Sequence, residues 1–309
     1  MPILAASTEG VVLSLFTALC WAISPMCVAS AGRKIGSFPV LLLRSLAAAF
    51  LLLAMLPIYI HFAGLQWVWP SGMQMVWLVL SSITGMVIGD ALLYEGLVLL
   101  GPRRCTQILT LAPVAAVLLG WWLLGEHLNQ QALGGIGLVL AATAYATAAK
   151  PPQGDESREP GRLTVTGIAL AVGAAFCVGA GAATGRLAFK DGPPLDAVVA
   201  TVIRVGTAAV LLWVIPLAQG TTGQTLGHLR DRFILGRLAG GIATGPICGM
   251  LCYLFALKNL EAGLVSTLVA MSPLFILPMM AIRYRMRIGL RITAATGLAT
   301  VGVALITLR

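Results

Sequence analysis

Lys150-Pro-Pro-Gln-Gly-Asp-Glu-Ser-Arg-Glu-Pro-Gly161 is the one stretch of this chain with the proline, glycine and charge content of a solvated linker. On both sides of it lie apolar runs close to the ~20 residues needed to cross a bilayer, separated by short breaks. Upstream they fall near 11–31, 39–59, 75–100, 105–124 and 132–149, and downstream near 163–185, 195–217, 238–257, 263–282 and 288–308. The chain of 309 residues is 59% hydrophobic and only 10% charged, where soluble domains carry about 25% charged residues. Lipid must cover what charge does not. The sequence therefore predicts an all-α membrane protein of about ten transmembrane helices, with a first five-helix repeat at 1–149, a polar linker at 150–162 and a second repeat at 163–309.

The net charge of +9 does not point to nucleic acid, because the basic residues sit in short segments between spans rather than on one face. The stretch before the first span has no Lys or Arg and the span is too long for a signal peptide, so it is expected to be retained. Shifting the chain by 160 positions places Arg44 on Arg204, Leu97 on Leu257 and Pro113 on Pro273. A five-helix unit has an odd number of spans, so its second copy must insert upside down, giving inverted repeats. With these spans, four Lys and Arg fall on the side of the N-terminus and fourteen on the linker side. The positive-inside rule makes the linker side cytoplasmic and places both termini outside, as in a bacterial-type inner membrane.

Proline inside a helix leaves the carbonyl four residues earlier without its donor, which here frees Leu109 and Val269 in matching spans. Such interruptions are tolerated only against protein or water, so Pro113 and Pro273, with Pro25 in the first span, are helix-kink candidates beside a midplane cavity. Gln107, Thr110 and Ser272 next to them either bind a polar solute or re-satisfy the broken backbone. An ionisable group near the bilayer centre costs from ~2.5 kcal/mol upward and faces a cavity or a partner. Asp90 and Glu95 lie in the third span and project about 140° apart, whereas Asp90 and Tyr94 share a face. Arg204, deep in the seventh span, either binds an anionic group or neutralises one of these carboxylates. Arg44 lies nearer a span end, where its stem can snorkel to the interface. Trp21 is a cavity wall or ordinary packing.

Other patterns read as packing. Gly85-x-x-x-Gly89, Gly181-x-x-x-Gly185 and Gly241-x-x-x-Gly245-x-x-x-Gly249 allow close helix approach. Trp67 and Trp69 look like interface anchors. The six cysteines are read as small buried hydrophobes and no metal site is expected. No nucleotide-binding motif or nucleophile elbow occurs, and His61, His127 and His228 are scattered at span ends, so no cofactor and no enzymatic activity are expected.

Gly89-Asp-Ala-Leu-Leu-Tyr-Glu-Gly-Leu97, Gly101-Pro-Arg-Arg104, Leu111-Ala-Pro-Val114 and Leu123-Leu-Gly-Glu126, followed by a Gly-rich helix from Leu133, resemble the EamA repeat of the drug/metabolite transporter superfamily. The second half keeps the proline at Ser272-Pro273, but Ile282-Arg-Tyr-Arg-Met-Arg287 stands in place of Leu-Leu-Gly-Glu. The resemblance implies a secondary transporter or facilitator of small polar, amino-acid-like or drug-like solutes, working by alternating access through a cavity between the repeats. Its expected partners are a small-molecule substrate and the lipid bilayer, with a proton as candidate coupling ion. The rival class is a non-transport membrane protein, either a membrane-embedded enzyme or a channel or structural subunit. The topology is testable: a reporter fused after Arg309 should behave as extracytoplasmic and one inserted within 153–159 as cytoplasmic, and the reverse pair of results would invert the orientation.

Overall fold

The structure, a computed structural model, describes residues 8–63, 69–147, 164–272, 274–275, 279 and 290–307. The linker, Trp67, Pro273 and the arginine run at 282–287 lie outside the described residues. The first half comprises α1 (Thr8–Ile35), α2 (Ser37–Ala63), α3 (Gly72–Ser82), a π-helical segment (Ile83–Gly89), α4 (Asp90–Leu100), α5 (Pro102–Leu109), α6 (Ala112–Leu124) and α7 (Gln130–Thr147). The second comprises α8 (Val165–Lys190), α9 (Ala197–Ala218), α10 (Thr222–Gly227), a 3₁₀ turn (His228–Arg230), α11 (Arg232–Ile242), a π-helical segment (Ala243–Ile247), α12 (Cys248–Asn259), α13 (Ala262–Val269) and α14 (Leu290–Thr307). No strand occurs among the described residues. Six continuous helical stretches there are long and apolar enough to cross a membrane, so the chain is a multi-pass integral membrane protein. Its outer surface agrees: Phe50, Leu53, Ile58 and Phe62 of α2 and Val210, Val214 and Leu217 of α9 are exposed, which only lipid makes favourable. Cys248, expected to be buried, is exposed on this apolar surface.

The halves exchange partners element by element. α1 packs on α11 and α12 of the second half, and α8 packs on α3, the first π-segment and α4. The second helices, α2 and α9, pack on each other, as do α6 with α13 and α7 with α14.

Two kinds of interruption recur at the same 160-residue offset. The π-segments begin at Ile83 and Ala243, and in each the next residue is a threonine whose hydroxyl donates to the carbonyl four residues back: Thr84 to Leu80 at 2.8 Å and Thr244 to Gly240 at 2.7 Å. Back-bonding of this kind competes with the helix ladder and bends it. Likewise α5 ends at Leu109 and α13 at Val269, each followed by a two-residue turn. Pro113 does not kink a continuous helix; it sits in the first turn of a new one, α6, where its missing N–H costs nothing. Ser272 picks up the carbonyl freed at the second break, donating to Val269 at 2.6 Å.

Glycine at the crossing points permits the exchange. A Cβ on Gly181 would stand 2.9 Å from the Cα of Gly85, and one on Gly179 would stand 2.7 Å from the Ala112 carbonyl oxygen. Backbone cannot yield as a side chain can, so Gly181→Ala should lower thermal stability by about 1–3 kcal/mol. Gly137→Ala, where a Cβ meets nothing within 4 Å, is the matched control and should be neutral or mildly stabilising in an unfolding assay in detergent.

Candidate functional site

One cavity lies between the halves, with about 130 Å³ reachable by the centre of a water molecule. Its wall includes both kinds of interruption from both halves: Gly85 and Met86 with Gly245 and Pro246 from the π-segments, and Leu109 and Thr110 with Val269 and Ala270 from the turns. Helix breaks meet here because freed backbone groups need a polar or protein-lined setting.

Of the residues expected at the site, Trp21, Asp90, Tyr94, Thr110, Arg204 and Ser272 line the cavity. Trp21 stands against Tyr253, with ring centroids 5.1 Å apart, and closes over Gly249, where an added Cβ would meet its indole nitrogen at 2.3 Å. Glu95 lies away from the lining and accepts a hydrogen bond from the Ser37 hydroxyl near the α1–α2 junction. α1 runs through Pro25 and α5 through Gln107, but the side chains of both are outside what is described, as is Pro273 altogether.

The charges pair differently from the expectation. Arg44 does not snorkel: its side chain is 11% exposed, its Nη2 donates to Asp90 Oδ2 at 2.8 Å, and its guanidinium lies 5.1 Å from the Tyr94 ring centroid. The reason is room, because Gly245 of the opposite half offers no side chain where Arg44 turns inward; a Cβ there would stand 2.9 Å from Arg44 Nη1. Arg204 has the corresponding place over Gly85, where a Cβ would stand 3.4 Å from its Nη2. No carboxylate is paired with it among the described residues. Arg44 was missed as a site residue because its distance from the span end was taken to decide its direction. The signal that could have found it was its match to Arg204 together with the match of Gly85 to Gly245.

Glu126 is a second feature absent from the expected site. Gly125 ends α6 in the left-handed conformation at φ +60°, which only glycine adopts without strain, and the turn carries Glu126 back into the protein. Its side chain is 4% exposed, and the carboxylate accepts from Arg186 Nε at 2.8 Å and from the Ala262 N–H at the start of α13 at 3.2 Å, with Lys190 at 3.4 Å. Arg186 in turn donates to the Leu257 carbonyl. On the same side Gln74 donates to the Ala188 and Pro193 carbonyls at 3.1 and 2.8 Å, Trp77 to Asp191 at 2.9 Å and Tyr59 to Asp196 at 3.1 Å. On the other side a Lys34–Asp231 ion pair links the halves, and it is exposed. The Lys34 hydrogen bond and the Phe233 N–H hold the Asp231 carboxyl below its ordinary range. That pair is therefore present at neutral pH and lost as pH falls through the lowered value. No group of three metal-ligating side chains occurs among the described residues.

These features define a two-repeat helical membrane protein with a small charged cavity where the repeats cross. Family comparison agrees: the model of the EamA-like transporter family matches residues 8–148 and again 165–308, and the chain belongs to that family. A crystal structure with a TM-score of 0.68 covers 97% of this chain and 96% of its own, at 19% identity, and so shows a shared fold. No curated protein sequence matches the chain.

The Arg44–Asp90 pair makes a direct prediction. Asp90→Asn leaves Arg44 buried and unpaired and should cost about 3–5 kcal/mol of stability, whereas adding Arg44→Leu should recover most of it. Thermal unfolding of the two variants is the check, and an Asp90→Asn protein as stable as the parent would show that the pair does not hold the fold.

Proposed function

We propose that this protein is a secondary transporter or facilitator, not an enzyme, that carries small polar solutes through the cavity by alternating access. The observation that carries the reading is the meeting, in one cavity, of helix interruptions at matching places in both halves, the arrangement from which repeat-built carriers form midplane sites. The reading takes ten spans in two inverted five-helix repeats, at 1–149 and 163–309 around a cytoplasmic linker, with both termini outside a bacterial-type inner membrane. Family membership supports solute transport.

Inversion gives the cycle its geometry. In this conformation the Glu126 side is held by hydrogen bonds between the halves, the opposite side by the exposed Lys34–Asp231 pair. We take the Glu126 side as the closed gate. Opening it exchanges the buried Glu126 contacts for water while helices on the other side approach. A proton-coupled cycle would also require Asp90 to part from Arg44.

Protein reconstituted in liposomes should show saturable flux and counterflow of a transported solute. Cysteines at Trp77 and Asp191, in a variant whose six native cysteines are replaced, should arrest that flux when bridged by a reducible bifunctional thiol reagent and restore it when the bridge is cleaved. Unchanged flux in the locked protein would rule out a cycle that opens this side.

A further inference from the structure

The two cavity arginines occupy matched places, but only one has a carboxylate in contact; Asp90 acts on Arg204 only at longer range. Arg44 has Asp90 at 2.8 Å. At the 160-residue offset the place of Asp90 is taken by Met250, whose sulfur lies 3.7 Å from Arg204 Nη1. Arg204 is 2% exposed. Its remaining contacts are weak: Nη2 stands 3.4 Å from the Ser81 carbonyl, the guanidinium 6.0 Å from the Tyr253 ring centroid, and Nε has no hydrogen-bond partner. The Tyr94 hydroxyl, buried in the same wall, has none either. A buried guanidinium with no carboxylate in contact is costly, and a protein keeps one where a ligand supplies the missing contact.

We infer that the cavity takes a monoanionic carboxylate with an apolar remainder, its carboxylate supplying to Arg204, from the cavity side, the counter-charge that Asp90 supplies to Arg44. The inference deepens the transport reading and rests on the same cavity. Charge limits the class: the lining holds two arginines, Arg44 and Arg204, against one carboxylate, Asp90, so basic groups exceed acidic ones by one. One carboxylate offsets that excess, whereas a phosphate dianion would leave a buried negative charge. The planar guanidinium fork matches a carboxylate, with the Tyr94 hydroxyl as a further donor. Trp21, Met86, Val178 and Tyr253 leave an otherwise apolar, aromatic-walled space for the rest of the solute. Gly85 and Gly185 border the guanidinium, where added Cβ atoms would make ordinary contact at 3.4 and 3.7 Å from its nitrogens.

Ligand-induced thermal shifts of the purified full chain test this, with benzoate, phenylacetate and 4-methylpentanoate each set against its own amide, and with inorganic phosphate as a second anion. The carboxylates should stabilise the protein, and the amides and phosphate should not. Arg204→Gln should weaken carboxylate binding at least ~30-fold. It should melt no lower than the parent without ligand, since it removes an unpaired charge; a merely structural arginine would give the opposite. Met250→Asp places a carboxylate oxygen as many bonds from the backbone as the methionine sulfur, so it should raise the unliganded melting temperature and abolish carboxylate binding. Amides that bind as well as their acids, a Met250→Asp variant that still binds carboxylates, or no carboxylate binding at all would overturn the inference. Liposome flux separates the two readings: binding without flux removes transport but leaves the site, and flux indifferent to solute charge leaves transport but removes the site.

Discussion

In hydrocarbon no water is available to a backbone N–H or C=O, so a membrane-spanning helix can be interrupted only where protein or a polar cavity takes up what the break releases. The architecture of this protein follows from that constraint. It has interruptions at matching places in both halves, and all of them border the same cavity. The local remedies are visible. Thr84 and Thr244 back-bond within the π-helical segments, Ser272 serves the carbonyl of Val269, and Pro113 starts a helix where an N–H would have had no partner.

Close approach is the second condition, since apolar side chains gain little by leaving lipid for one another and packing must do what the hydrophobic effect does in water. Glycine supplies it where helices of opposite halves cross, as at Gly85 against Gly181. The same small residues have another consequence. With no Cβ in the way, Gly245 lets Arg44 turn inward. Packing and cavity chemistry thus share residues, and a substitution at Gly245 would alter both.

Much of this was legible in the sequence. Apolar runs of bilayer length, one solvated linker and the correspondence of Pro113 with Pro273 suffice to anticipate a two-part helical membrane protein. Asp90, Tyr94 and Arg204 could be placed at a cavity because charge and hydroxyl groups in a span have few other places to go. What could not be read was direction and pairing. A one-dimensional distance from the span end sent Arg44 to the interface, whereas the space over Gly245 and the Asp90 carboxylate draw it inward. The π-segments were also hidden, because a widened turn has no periodicity of its own, and only the repetition of Thr-Gly at 84–85 and 244–245 hinted at them. Glu126 showed as part of a family motif, but its work depends on Arg186 and Ala262, far away in sequence.

Duplication also explains why the halves can be alike in frame and unlike in chemistry. The positions that must match are those where backbones touch or turn: Gly85 with Gly245, Gly89 with Gly249, Thr84 with Thr244, and the ends of α5 and α13. A change at any of them moves a helix and is felt through the whole bundle. Residues that merely face the cavity lie under no such constraint, and there the halves have parted, with Asp90 against Met250 beside two retained arginines. The same holds at the ends of the fourth spans. Glu126 draws Arg186 and the start of α13 together on one side, while the corresponding position of the second half is Met286, between Arg285 and Arg287. An inverted pair of identical halves would favour neither side of the membrane. Divergence at Glu126 gives the first half a buried ionic contact for which Met286 has no charge, and divergence at Met250 leaves two arginines against one carboxylate in the cavity, so the halves become unlike in chemistry without disturbing the shared frame.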